Sequence, residues 1–207
     1  MSLDCSSTLG ITLASPADSL DEFAYDPRNP VSTAGGALFP LDPGLIGPVH
    51  RSVVDGREDI LSYVTSALDE SLEVTGHVEL KVFVSSSAVD TDITAKLVDV
   101  FPDGRAINLC DCILRLRYRE DLSNPTALTP EEVYEVTVIM GVTSNAFLPG
   151  HRLRLDISSS NFPRFDHNTN TDSFISGESI DDAIVATNRV HHSPAHPSRR
   201  LLPIIER

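Results

Sequence analysis

Hydrophobic and polar positions alternate along much of this chain, in short runs broken by turn residues. Between Ser85 and Arg105, Ile93, Ala95, Leu97 and Phe101 share one parity and Thr94, Lys96, Val98 and Val100 the other, before Pro102-Asp103-Gly104 closes the run. Proline presets φ there, and glycine accepts the positive φ that other residues resist. Between Arg152 and Asp166, Leu153, Leu155 and Ile157 alternate with Arg152, Arg154 and Asp156 until Asn161-Phe162-Pro163. Period two bounded by turn residues predicts half-buried antiparallel strands. Val78, Leu80, Val82 and Val84 define a face of another strand, and Tyr134, Val136, Val138 and Met140 a face of a fourth. The pattern predicts strands at about 72–86, 91–101, 105–119, 131–141, 151–160 and 183–192, with shorter ones near 9–13 and 59–64.

Helix signals are nearly missing. Asp55–Leu68 is the best candidate, yet Tyr63-Val64-Thr65 within it favours strand. Many strands of similar length, with 14 prolines and 11 glycines concentrated between them, predict an all-β jelly-roll β-sandwich with long irregular loops and little helix. At 207 residues a single domain with a sizeable core is expected. The longest irregular stretches are Ser15–Val54 and Asn161–Asp182. The first carries Phe23, Tyr25, Leu38, Phe39, Leu41, Leu45 and Ile46, too apolar a set to be left in water.

Charge narrows the partners. Thirty acidic against 16 basic side chains give a net charge of −14, so no nucleic-acid partner is expected, because phosphate binding needs clustered Lys and Arg. Arg115, Arg117 and Arg119 sit at strand spacing and are predicted to point one way, as a salt-bridged face. No apolar run approaches the roughly 18 residues of a membrane span, so no membrane partner is expected. The start, Met-Ser-Leu-Asp-Cys, lacks the basic-then-apolar pattern of a signal peptide. Cys110 and Cys112 share a strand face where a mutual disulfide is strained. With Cys5 they read as reduced thiols of a cytoplasmic protein.

Chemistry is sparse. No Gly-x-Ser-x-Gly elbow occurs, and no catalytic residue, metal or cofactor is expected. Asp166–Asp172 has the oxygen spacing of a calcium loop, but Thr171 and Gly177 stand where an EF-hand needs glycine and glutamate; Asx turns that stiffen the loop are the preferred reading. His191, His192 and His196 cluster in sequence, yet adjacent residues of an extended chain face opposite ways. Asn161–Asp166 is the candidate binding motif, with Phe162 and Phe165 flanking Arg164. Either Arg164 clamps Asp156 or Asp166 with both rings in the core, or the motif belongs to an interface.

Several segments carry a family resemblance: Tyr25-Asp26-Pro27, Asn29-Pro30-Val31, Gly35-Gly36, Glu73–Gly76, Arg115–Arg119, Val142-Thr143-Ser144, Gly150-His151-Arg152 and Ala186-Thr187-Asn188, with the two alternating runs above. In order and spacing they resemble the C-terminal β-domain of the cocaine esterase and X-Pro dipeptidyl-peptidase (CocE/NonD) group of serine hydrolases. The resemblance implies a galactose-binding-like sandwich that is non-catalytic and packs on an α/β-hydrolase domain not contained in this chain. It implies hydrolysis of an ester, or of an amide after an X-Pro dipeptide, by that missing partner. Leu38 and Phe39, next to Gly35-Gly36, are then expected to be exposed here and to lie nearest the neighbouring domain. The alternatives are a stand-alone carbohydrate- or ligand-binding module, for which the absence of Trp is unhelpful, or a homo-oligomerisation module.

Overall fold

The computed structural model describes residues 8–12, 19–36, 47, 49–51, 54–174 and 177–205. Among them, ten strands form two antiparallel sheets that pack face to face. The first is built on β4 (Leu72–Ser86), which pairs from Leu72 to Val84 with β7 (Tyr134–Phe147). On its other side β4 pairs first with β10 (Arg199–Ile205) and then with β9 (Ala186–His191). β1 (Thr8–Thr12) extends the sheet from β10, and β2 (Leu20–Tyr25) extends it from β9. The second sheet runs β3 (Leu61–Val64), β8 (Arg152–Ser158), β5 (Asp92–Val100), β6 (Ala106–Arg115).

The core follows from the alternation. Val74, Val78, Leu80, Val82 and Val84 of β4 face Ile93, Ala95 and Leu97 of β5 and Leu153, Leu155 and Ile157 of β8, all buried. Gly141, at φ +104°, marks a bulge where the β4–β7 register shifts. Before it the even positions Val136, Val138 and Met140 point inward; after it the odd position Phe147 does. An extra residue in one strand flips the parity of everything beyond it. The strand predicted over 131–141 therefore runs on through the bulge to Phe147.

Other departures are equally local. The Asp55–Leu68 segment is turn and then strand, not helix. The predicted 105–119 strand ends at Arg115, and Leu116–Tyr118 form a 3-10 turn that takes Arg117 and Arg119 off the strand face. β2 and β10 were not predicted: β2 is an edge strand inside a stretch read as irregular, and β10 places charged Arg200 on the core face and interrupts its register before Pro203. β5 is not half-buried. Both faces are covered, and its outer row of Thr94, Lys96 and Val98 is as inaccessible as its core row. What lies over that outer row is the candidate site.

Candidate functional site

Across the outer face of the second sheet, cross-strand pairing sets Ser62 opposite Asp156, Asp156 opposite Lys96, and Lys96 opposite Asp111. Directly paired residues share a face and stand about 5 Å apart, so one buried lysine is flanked by two buried carboxylates. Lys96 Nζ donates to Asn161 Oδ1 at 2.9 Å, and Asn161 Nδ2 donates to Asp111 Oδ2 at 2.9 Å. Arg164 Nη1 donates to Asp111 Oδ1 at 2.5 Å. Asp156 takes Ser62 Oγ at 2.7 Å and Arg154 Nε at 2.6 Å on Oδ1, while Arg51 Nε lies 3.1 Å from its Oδ2.

The row carries more cation than carboxylate. Arg51 is fully buried, and its Nη1 and Nη2 have no hydrogen-bond partner among the described residues. Burial lowers the pKa of Arg51. Burial, with the charge of Arg51 behind it, pulls Lys96 down to about 7. Desolvation disfavours the charged form of both.

A loop spanning residues 31–36 lies over this row and is stitched to the segment after β8. Val31 N donates to Ser160 Oγ at 2.8 Å, Phe162 N to Val31 O at 2.9 Å, and Thr33 N to Phe162 O at 2.7 Å. Thr33 Oγ1 donates to Asn161 O at 3.0 Å and accepts from Arg164 N at 3.2 Å. Gly36 then pairs with Gly47 by reciprocal backbone bonds of 2.8 and 3.0 Å. Gly36 has φ +90°, and a Cβ there would overlap Asp111 Oδ1 and stand 2.9 Å from Arg164 Nη1. Glycine is required by conformation and by space together.

The structure therefore brings the two predicted regions together, with corrections. Leu38 and Phe39 lie outside the described residues, but Gly36 and Gly47, which flank their segment, are joined directly against the Asp111–Arg164 pair. Arg164 clamps Asp111, not Asp156 or Asp166. Neither phenylalanine is in the core. Phe162 is 39% exposed and packs at a tilt against the His167 ring, centres 4.3 Å apart, and Phe165 is half-buried with the Arg164 guanidinium 5.1 Å from its ring centre. Short aromatic loops cannot reach a core that β5, buried on both sides, already closes. Arg51, Lys96 and Asp111 were missed, and Asp156 was named only as a partner for Arg164. The available signal was charge at mid-strand positions, Lys96 between Ala95 and Leu97 and Asp111 between Cys110 and Cys112.

The remaining constellations are structural. Arg115 and Arg117 bind different buried carboxylates: Arg115 Nε to Asp92 Oδ1 at 2.9 Å, Arg117 Nε to Asp90 Oδ2 at 2.6 Å. The same guanidinium groups donate to His167 O, Thr171 O and Ser173 O, so they pin the 167–173 loop. Asn168 Nδ2 bridges Asp90 and Asp92, and Asn168 Oδ1 accepts from Asn170 N at 2.8 Å, an Asx turn. Two arginines thus supply the positive charge among oxygens of the calcium-like loop. Burial raises Asp92 to about 6. His191 faces Ser85, whereas His192 bridges Ser19 and Asp21. Ser19 contacts His192 through Nδ1, and Asp21 contacts it through Nε2, the reverse of the usual triad ring orientation. Asp21 also accepts from Tyr63 OH at 2.8 Å, which ties β2 to β3.

Comparison with known proteins fits this geometry to a family. Residues 9–199 match the model of the X-Pro dipeptidyl-peptidase C-terminal non-catalytic domain. The chain belongs to that family. It is 52% identical over 204 residues to cocaine esterase of Rhodococcus sp. (strain MB1 Bresler), covering 97% of this chain and 35% of that protein. A solved aminopeptidase from a marine sediment archaeon, Thaumarchaeota archaeon, superposes with a TM-score of 0.85 at 30% identity, over 93% of this chain and 34% of that one. A solved α-amino acid ester hydrolase superposes with a TM-score of 0.82 at 31% identity, over 90% and 32%. The chain thus spans about a third of the length of these relatives. The family model describes the domain as C-terminal and non-catalytic, and in these relatives it is attached to a catalytic hydrolase domain.

Proposed function

We propose that this domain packs on a serine-hydrolase catalytic domain through the loops over the Lys96 row, and that it helps shape the pocket of an esterase or X-Pro dipeptidyl-peptidase. One observation carries the reading. The 31–36 and 161–165 loops form a single hydrogen-bonded unit, seated on buried charge and presenting Phe162 outward. A rigid platform holds the ends of an apolar segment, 37–46, that includes Leu38 and Phe39. Interfaces of this kind take their energy from a few aromatic anchors. Unpaired Cys110 and Cys112 fit a reducing compartment, the cytoplasm. The sandwich is read as galactose-binding-like in architecture.

The test uses p-nitrophenyl esters and Gly-Pro-p-nitroanilide with this chain, its separately made catalytic domain, and both together. The chain alone gives no turnover, and adding it to the catalytic domain restores phosphonate-sensitive turnover. Leu38→Ala with Phe39→Ala raises KM in the reconstituted enzyme. Phosphonate-sensitive turnover by the chain alone, or a catalytic domain indifferent to its presence, refutes the reading.

A further inference from the structure

At the turn end of the second sheet, the same outer face opens into a groove of ≈ 440 Å³ lined by Val64, Val100, Phe101, Pro102, Arg152 and Arg154, among others. Pairing puts Val64 opposite Arg154 and Val100 opposite Arg152, so apolar and cationic side chains share one face. Val64 is 49% exposed. No residue of the 31–36 or 161–165 loops lines the groove.

The three guanidinium groups at this end are not equivalent. Arg154 is held by Asp156 and by Asp55 at 2.7 Å. Arg105 lies over the Phe101 ring, 4.5 Å from its centre, and binds Asp103 at 2.8 Å. Arg152 is exposed and has no ion pair or hydrogen bond among the described residues. Deeper on the same face stand Arg154, Arg51, Lys96 and Arg164 against Asp55, Asp156 and Asp111. Those deeper charges balance one another apart from Lys96, so the uncompensated charge of the groove is Arg152, a cation in a chain of net charge −14. A cleft lined by one sign of charge over apolar walls concentrates the opposite ion.

We infer that this groove binds a small organic acid, its carboxylate on Arg152 and its apolar body on Val64, Val100, Phe101 and Pro102. A guanidinium fork matches a carboxylate in shape and charge. A single uncommitted guanidinium balances one negative charge. The apolar floor leaves the further oxygens of a phosphate without donors, which penalises that class. The size fits ligand sites, which run from about 300 to 1,000 Å³.

The experiment is an amide NMR titration of the full chain with phenylacetate, with phenylacetamide and with inorganic phosphate. Phenylacetate is expected to give saturable shifts at Val64, Gly104 and Gly150, and phenylacetamide to bind roughly tenfold more weakly. Arg152→Gln is expected to lower phenylacetate affinity by the same factor with unchanged thermal melting, since the side chain is exposed. Equal binding of phenylacetamide, binding of phosphate as tight as phenylacetate, affinity untouched by Arg152→Gln, or no saturable shift at these amides would each overturn the assignment. None of these outcomes involves a catalytic domain, so the docking proposal stands or falls separately.

Discussion

Gly36→Ala is the sharpest probe of the candidate site, because its cost has two separable parts. The first is conformational: φ is +90°, and an L-residue in the left-handed region costs about 1–2 kcal/mol. The second is steric. The new Cβ overlaps Asp111 Oδ1, and Asp111 cannot retreat without releasing Arg164 Nη1 and Asn161 Nδ2. Breaking a buried ion pair costs about 3–5 kcal/mol. Arg164 keeps 18% of its side chain in solvent, so the low end, about 3 kcal/mol, is appropriate. Gly36→Ala alone is thus expected to destabilise by about 4–5 kcal/mol. In an Asp111→Ala background the carboxylate is gone and Arg164, released from its partner, can swing clear of the new Cβ, so the same substitution should cost only the conformational 1–2 kcal/mol, roughly. The coupling of about 3 kcal/mol is read from urea unfolding of four proteins by far-UV circular dichroism, at constant slope. Additivity within about 0.5 kcal/mol would refute the close approach of Gly36 to the ion pair.

Other perturbations address other parts of the molecule. Arg117→Ala strands Asp90 without its counter-ion and frees the 171–173 carbonyls; a loss of about 3–5 kcal/mol and faster proteolysis beside exposed Phe174 are expected, and unchanged melting would refute the pinning role. Lys96 titrates near 7 when folded, below the 10.5 of an exposed lysine, so the unfolded chain holds the proton more tightly. Its charge therefore costs stability in full below about 7, and the cost fades as pH rises toward 10.5. Lys96→Met is expected to remove that slope and to be no less stable at pH 6; urea midpoints at pH 6, 7 and 9 check it. Burial raises the Cys110 and Cys112 thiols to about 12, so a disulfide-exchange reagent at pH 8 should modify buried Cys110 only as fast as the chain unfolds and half-buried Cys112 far more slowly than a free thiol. Immediate modification would place them at the surface.

The sandwich was legible because most of its strands have one wet and one dry face, or two dry faces rich in aliphatic residues. β4 needed nothing but Val78, Leu80, Val82 and Val84. Legibility failed where parity was interrupted. Gly141 flips β7, Arg200 sits on the core side of β10, and Arg115–Arg119 leaves the strand at a 3-10 turn. The site was half legible. Asn161-Phe162-Pro163-Arg164 announced itself through its unusual chemistry, but the partner of Arg164 did not. Asp111 lies 53 residues away in sequence, on a strand whose outer face looks solvated until a loop from residues 31–36 is laid over it. Periodicity reports which face a residue takes, not what covers that face.

The pairing of β1 with β10 sets Thr8 opposite Pro203 and Thr12 opposite Arg199. The first and last strands are neighbours running in opposite directions, so the chain is nearly a closed ring. Cutting a ring elsewhere leaves its connectivity in space unchanged. A circular permutant that joins Ile205 to Thr8 through a short flexible linker and opens between Ser123 and Asn124, in an exposed loop, is expected to fold to the same two sheets. It would also change the order of assembly. In the natural order β1 waits for β10, and Thr12 pairs with Arg199 across almost the whole chain; in the permutant β10 leads directly into β1, and that long-range closure becomes a local one.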